Sequence, residues 1–255
     1  VDVHPSASPA DLTKTAAESS RGGYDRVVVC GGDGTLNLAV REFDLTRGTL
    51  AVIPLGSGDD FAKVLGIPRD PAAAAELAVT GTPRQVDVAL ANGLRYMGVA
   101  GLGFDSEVAS YANEKVKLLR GSLVYFWAIL RVLPRFTPRK VTLNGKEEEI
   151  MFAAVGNSRQ YGAGIRITPD AQIDDGLLDL CIVHRTTRLE LLKTLPKAYG
   201  GTHVQSEFVE QRRGTQFSFT APNTMEVYAD GERLTTTPVR FELARERLRI
   251  VAPGR

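Results

Sequence analysis

Early in the chain, short unbroken apolar runs alternate with stretches of helical character. Val27-Val28-Val29-Cys30 and Leu50-Ala51-Val52-Ile53 have strand length and no polar face, as expected of parallel strands covered on both sides. Ser8-Pro9-Ala10-Asp11 offers an N-cap with proline in the first turn, and Gly22-Gly23 ends that helix. Further helices are expected from Leu36, over Phe61–Leu65, and over Ala72–Val79, the last opened by Asp70-Pro71 and closed by Gly81. Strands alternating with helices predict a parallel sheet with helices on both faces.

After residue 83 strands dominate. Val86–Leu90 and Tyr96–Val99 flank Asn92-Gly93, and Val141–Leu143 and Ile150–Val155 flank Asn144-Gly145, so both pairs read as hairpins. Ile165–Thr168, Leu177–Val183, Phe217–Thr220, Met225–Ala229, Val239–Leu243 and Leu248–Val251 supply further strands, and helices interrupt them at Gly121–Leu133 and Arg188–Ala198. The pattern predicts an α/β chain of two domains. Residues 1–83 form a parallel α/β domain, and residues 84–255 an antiparallel β-sandwich-like one whose last strand returns to the first domain. A ligand site would lie in the cleft between them.

Each early strand runs straight into a glycine turn. Gly31 to Asn37 reads GGDGTLN, and Pro54 to Ala62 reads PLGSGDDFA. Glycines there remove Cβ atoms and admit positive φ, so backbone N–H groups can converge on an anion. The first turn is neither G-x-G-x-x-G nor a Walker loop, so the ordinary dinucleotide and P-loop readings do not apply. Asp33 repels phosphate by itself and suggests hydrated Mg²⁺ between the two. Thr35 and Asn37 bring a hydroxyl and an amide to the start of the next helix, where the dipole favours anions. In the second turn Ser57 could donate to a phosphate. Of Asp59 and Asp60, one is expected to cap the helix Phe61–Leu65 and the other to be functional, Asp60 being suited to Mg²⁺ or its waters. Two such units place the ends of adjacent parallel strands at one crevice.

Charge adds an exclusion. Of 255 residues 24% are charged and the net charge is +1, so nothing draws the chain to nucleic acid. Cys30 and Cys181 sit inside apolar runs and read as packed core thiols in a reducing compartment. His4, His184 and His203 show no metal-ligand spacing. With no signal peptide and no apolar span of membrane length, a cytoplasmic location is expected. The stretch Leu118–Leu133 holds the only tryptophan, Trp127, and is flanked by Arg120, Arg131, Arg135, Arg139 and Lys140. It suits a core helix, a cover over an acyl chain, or a face lying on an anionic membrane.

The two glycine turns, extended as GGDGTLN and PLGSGDDFAK, are followed by three further segments. These are Val155-Gly156-Asn157 through Tyr161-Gly162-Ala163-Gly164, Thr168-Pro169-Asp170 through Asp174-Asp175-Gly176-Leu177-Leu178-Asp179, and Asp230-Gly231-Glu232. In this order they resemble the diacylglycerol kinase catalytic-domain family, which includes bacterial soluble lipid kinases and the sphingosine and ceramide kinases. The resemblance spans nearly the whole chain. It implies transfer of the ATP γ-phosphoryl group to a lipid hydroxyl, with Mg²⁺ as cofactor and diacylglycerol as the default acceptor, by a protein peripheral to the membrane. It implies that Gly31, Gly32, Asp33, Gly34, Thr35, Leu36, Asn37, Gly56, Ser57 and Asp60 hold ATP, that Asp33 is also catalytic, and that Glu232 is the general base. It also implies a structural cation held by the Asp175 side chain and the carbonyls of Gln172 and Leu177.

Spacing alone leaves alternatives. Asp230-Gly231-Glu232 reads as a hairpin turn, and Asp174-Asp175-Gly176 as an Asp-Gly turn entering a strand. Asn157, Tyr161, Gly162 and Gly164 could border a lipid headgroup or form a plain loop. Phosphatidylglycerol, sphingoid bases and other lipids stay open as acceptors. So do an NAD kinase, which shares the GGDGT turn, a non-catalytic lipid-binding relative, and a homodimer. Two departures from the family pattern stand out. No strand with an Asn-Pro-x-Ser-Gly-like loop precedes Val1, and the expectation is that the natural protein extends upstream. Asp59 stands where many relatives carry asparagine, which would tighten a metal requirement.

Overall fold

The computed structural model describes residues 1–115, 122–162 and 164–254. The first unit runs α1 (Pro9–Arg21), β1 (Val27–Gly31), α2 (Asp33–Val40), β2 (Thr49–Pro54), α3 (Asp60–Leu65), α4 (Pro71–Thr80) and β3 (Thr82–Val86). The second begins with β4 (Ala89–Ala91), β5 (Leu94–Tyr96), β6 (Val99–Gly103), α5 (Phe104–Lys115), α6 (Ser122–Val132), β7 (Arg139–Leu143), β8 (Lys146–Gly156), β9 (Leu178–His184) and α7 (Arg188–Tyr199). It continues through β10 (Val209–Gly214), β11 (Gln216–Thr220), β12 (Glu226–Ala229), β13 (Glu232–Thr236) and β14 (Val239–Leu243) to β15 (Leu248–Ala252).

Local chemistry sets the helix starts. Ser8 Oγ accepts the Asp11 N–H and the Asp70 carboxylate accepts the Ala73 N–H, each just before a proline that opens α1 or α4. A capping box of Thr187 and Glu190 starts α7.

The first sheet has the order β1-β2-β15-β3. β1 and β2 are parallel, β15 is parallel to β2, and β3 closes the far side antiparallel to β15. The final strand thus inserts into the first sheet, where Leu248 and Ile250 are fully buried. β2 is covered on both faces as its apolar run requires, but β1 is not. Val28 and Cys30, two residues apart, share a face of β1 that is uncovered, so the expectation of a packed thiol at Cys30 is corrected; Cys181 on β9 is buried.

The second sheet is antiparallel throughout, in the order β13-β12-β6-β8-β7-β11-β14-β4-β5, with β9 and β10 branching from β8. Its inner face packs Tyr96, Phe219 and Phe241 edge to face. The outer face of β6, β8 and β9 is covered by α5, α6 and α7 through Phe104, Val108, Ala128, Leu133, Phe152 and Leu191. Three hairpins turn on left-handed pairs: Asn92-Gly93, Asn144-Gly145 and Asp230-Gly231, with φ of 51° and 81°, 48° and 85°, and 49° and 88°. That geometry matches the twist of the flanking strands.

Several boundaries differ from the pattern. The expected strand Val86–Leu90 is split: β3 belongs to the first sheet and β4 to the second, and the chain crosses at Asp87-Val88. Asp87 is buried there, with its carboxylate on Arg247 Nε at 2.7 Å and on the Gly176 N–H at 2.7 Å. Ile165–Thr168 is not a strand. It makes an isolated bridge from Ile165 to Tyr161, and Thr168 bonds the Ser158 carbonyl instead of a ladder. α5, β10 and β13 were not expected, because their sequences are largely polar and lack a clean period. Residues 118–121 of the expected apolar stretch lie outside the described residues.

Ile250 sits between β2 and β3 with no exposed surface. Ile250→Ala is expected to cost about 2–5 kcal/mol of folding stability, measured by urea denaturation, because the cavity cannot collapse between two paired strands.

Candidate active site

Cys30 stands opposite Ile53 and Gly31 opposite Pro54, so both glycine turns leave the sheet at the same edge. The turns pack backbone against backbone. A Cβ on Gly56 would lie 2.6 Å from Gly32 Cα, and a Cβ on Gly31 2.5 Å from Thr35 Oγ1. A Cβ on Gly34 would meet no protein atom within 4 Å, yet Gly34 lines the cavity described below. Glycine is needed at 31, 32 and 56 by the protein; at 34 it leaves room.

Asp33 locks the two turns together. Its carboxylate accepts the backbone N–H groups of Asp60 and Phe61, each at 3.0 Å. The N-terminus of α3 is therefore capped from the other turn. Neither Asp59 nor Asp60 caps it, contrary to expectation. Asp59 takes the left-handed region and accepts the Gly56 N–H at 2.9 Å. Asp60 accepts from Gln160 Nε2 at 3.1 Å and faces Lys63 Nζ at 3.5 Å. Burial raises the Asp33 pKa and the nearby Asp60 and Asp59 charges add to the rise, against its two N–H bonds. Among the described residues no three acidic, thiol or imidazole groups converge as a metal site.

Asn37 reaches across to the second sheet. Its Nδ2 donates to Asp230 Oδ2 at 2.7 Å and its Oδ1 accepts the Met97 N–H at 3.1 Å. Asp230 also accepts the Gly98 and Val99 N–H groups, both at 2.9 Å. Burial still raises its pKa, with Asp33 contributing. Glu232, two residues on, is exposed at the start of β13 and is not part of the cavity wall.

A second carboxylate escaped the sequence reading. Asp105, in the first turn of α5, accepts the Tyr161 O–H at 2.6 Å. Burial pushes its pKa up to about 6, and the Tyr161 bond opposes the rise. Glycines make room for both acids: a Cβ on Gly98 would lie 2.1 Å from Asp230 Oδ1, and one on Gly101 2.1 Å from Asp105 Oδ2. The glycine-spaced run Gly98 to Asp105 was the only signal for this site, and it was masked by the apolar residues between.

These groups share one cavity of about 880 Å³. Its polar end is walled by Gly32, Asp33, Gly34, Leu36, Asn37, Gly56, Ser57, Asp60, Asp105 and Asp230. Gly31 and Thr35 stand behind that wall rather than in it. The cavity then continues into apolar space between Phe104, Val108, Ile129, Phe152, Val183 and Leu191.

At the turn expected to hold a structural cation, Asp175 is engaged by protein groups. Asp175 Oδ1 accepts the Leu177 N–H at 3.0 Å, and its Oδ2 pairs with Arg213, which also bonds Asp179 Oδ1 at 3.0 Å. Gln172 is exposed. Among the described residues Asp179 Oδ2 is buried without a hydrogen-bond partner. A cation at Asp175 would compete with the Arg213 guanidinium.

Comparison with known proteins decides the family. Residues 1–91 match the diacylglycerol kinase catalytic domain, and residues 98–252 match the YegS C-terminal NAD kinase beta sandwich-like domain. The chain belongs to the diacylglycerol kinase family of lipid kinases. It is 34% identical to the Diacylglycerol kinase of Mycobacterium tuberculosis (strain ATCC 25618 / H37Rv), over 91% of this chain and 78% of that protein. It is also 34% identical to the Pseudomonas aeruginosa PAO1 protein named "Probable lipid kinase YegS-like", over 96% and 82%. A crystal structure from Bacillus anthracis str. Sterne, assigned to the diacylglycerol kinases, aligns with a TM-score of 0.80 at 28% identity, over 99% of this chain and 85% of that one. The α/β class, the first unit's sheet with its parallel β1, β2 and β15, and the antiparallel second unit agree with that membership, and the protein is a kinase.

Two outcomes test the geometry. Asp105 favours the fold while protonated, and that contribution is lost as pH rises from the ordinary carboxylate range through about 6. Asp105→Asn removes the loss. Its stability relative to wild type is expected to climb from about pH 4 and level off above the folded pKa, by at most about 3 kcal/mol, read by urea denaturation across that range. Gly98→Ala is expected to expel the Asp230 carboxylate and abolish phosphoryl transfer while the protein stays folded, as checked by circular dichroism and a kinase assay.

Proposed function

We propose that this lipid kinase transfers the γ-phosphoryl group of ATP to the hydroxyl of diacylglycerol, forming phosphatidic acid. The observation that carries the reading is the single cavity with two chemistries. Glycine turns and carboxylates line one end and aliphatic and aromatic side chains the other, so a phosphate donor and an acyl chain meet at its middle. The relatives named Diacylglycerol kinase agree with diacylglycerol as acceptor, while the name of the Pseudomonas aeruginosa relative says only lipid kinase. The apolar half speaks against NAD as the acceptor, whose second nucleotide would lie mostly against aliphatic and aromatic side chains there.

In this reading the α2 N-terminus, left open by Gly34, takes phosphate oxygens with the help of Ser57. Asp33 and Asp60 would hold hydrated Mg²⁺, which neutralises charge on the phosphates. Asp33 does so as a carboxylate already fixed by two N–H donors, so its position is set before ligand arrives. Asp105 and Tyr161 border the junction of the polar and apolar halves, where the acceptor headgroup would sit. Glu232 is the proposed general base, carried on the β12–β13 hairpin whose turn Asp230 anchors to Asn37, Gly98 and Val99.

Radiolabelled transfer from ATP to a lipid panel in mixed micelles checks this. Diacylglycerol is expected to be labelled, with Asp33→Ala and Glu232→Ala each lowering the rate by about a hundredfold or more. Full activity of Glu232→Ala together with an inactive Asp230→Asn would transfer the base role to Asp230. Val108→Phe, which fills the apolar half, is expected to favour short-chain over long-chain acceptors in the same assay.

A further inference from the structure

The apolar half of the cavity is not sealed. Leu192 and Tyr199 both line it and are 38% and 51% exposed, so the cavity opens along α7. Around that opening the helices expose apolar side chains. Leu189, Leu192 and Tyr199 recur on one face of α7, and Trp127 and Leu130 stand 40% and 41% exposed on α6. α7 begins beside the end of α6, where Arg188 Nη2 donates to the Phe136 carbonyl at 3.3 Å.

Cations frame this surface. Arg131, Arg135, Arg188, Lys193 and Lys197 are exposed on these helices and the turn after α6. The Arg131 guanidinium lies 4.5 Å over the Trp127 ring, which holds the charge and the aromatic plane at the same level. The one acidic residue of α7, Glu190, is spent in the capping box, and α6 has none.

Exposed leucines, a tryptophan and a rim of arginine and lysine match the interfacial layer of an anionic bilayer, with apolar groups entering the acyl boundary and cations staying among the headgroups. We infer that the outer faces of α6 and α7 dock on an anionic bilayer, with the cavity mouth between Leu192 and Tyr199 facing the lipid. This rests on the lipid-kinase reading for its purpose, since it lets an acyl chain pass from bilayer to cavity without crossing water. The docking itself needs neither ATP nor catalysis.

The test is sedimentation of the whole chain with vesicles of phosphatidylcholine, with and without phosphatidylglycerol. Wild type is expected to bind the anionic vesicles and release them in high salt. Fluorescence of Trp127, the sole tryptophan, should shift to the blue and be quenched by brominated lipid. Leu130→Glu with Leu189→Glu, two exposed positions outside the cavity wall, should weaken binding at least tenfold. Lys193→Ala should weaken it about fivefold. The double variant should phosphorylate water-dispersed short-chain diacylglycerol at the wild-type rate and vesicle-borne substrate far more slowly. Equal binding of wild type and double variant, or equal binding to neutral vesicles, overturns the docking surface. So does a wild-type dimer that the double variant abolishes, found without vesicle binding, because the face would then be a contact between copies. If the binding pattern holds and no lipid is phosphorylated, the surface stands and the acceptor assignment falls.

Discussion

The carboxylate of Asp230 ties the two sheets together. It takes one N–H from Asn37 on α2 and two from Gly98 and Val99 at the head of β6, so one buried charge is shared by both halves of the molecule. A charge in that position is tolerable only because each donor is fixed by secondary structure and because Gly98 has no side chain. Move any of these and the cost is a buried carboxylate without partners, not one lost hydrogen bond. The interaction fixes the distance from the first glycine turn to the β12–β13 turn. Those are the two places from which phosphate and acceptor would be handled.

The same logic repeats at Asp33 and Asp105. Each is a carboxylate whose pKa burial raises, held by donors from a different segment of the chain. A fold selected for stability alone would bury leucine at such sites. Acids gathered at one end of an otherwise apolar cavity, with pKa values raised by burial, mark it as the candidate functional site. α5 joins the two chemistries, since its first turn carries Asp105 and the next turn turns Val108 and Ala109 toward the apolar space.

Much of this was legible in the residues. The apolar runs at Val27 and Leu50 located β1 and β2, and Asn-Gly pairs located two hairpins, because both signals act through a few neighbouring residues. The glycine turns were legible for the same reason. The capping of α3 was not: the donor's partner, Asp33, is far away in sequence, and a local rule selects the nearest acid. Gln160 was missed because nothing adjacent to it marks a site, and Asp105 because the glycine-spaced run before it reads as an apolar strand; their partners lie far away in sequence. The strand expected at Ile165–Thr168 failed because apolar alternation fits any half-buried segment, and here Thr168 packs into a loop.

By itself, then, the sequence determined most of the elements, the two glycine turns and the family, since these depend on side-chain period, backbone freedom at glycine and ordered motifs. Tertiary structure alone decided which acid caps which helix, that β15 completes the first sheet, and that an apolar cavity opens onto the glycine turns. The physical reason is separation along the chain. Hydrogen bonds between segments and the space between packed helices exist only once the backbone has brought distant residues together, and no local pattern encodes that distance.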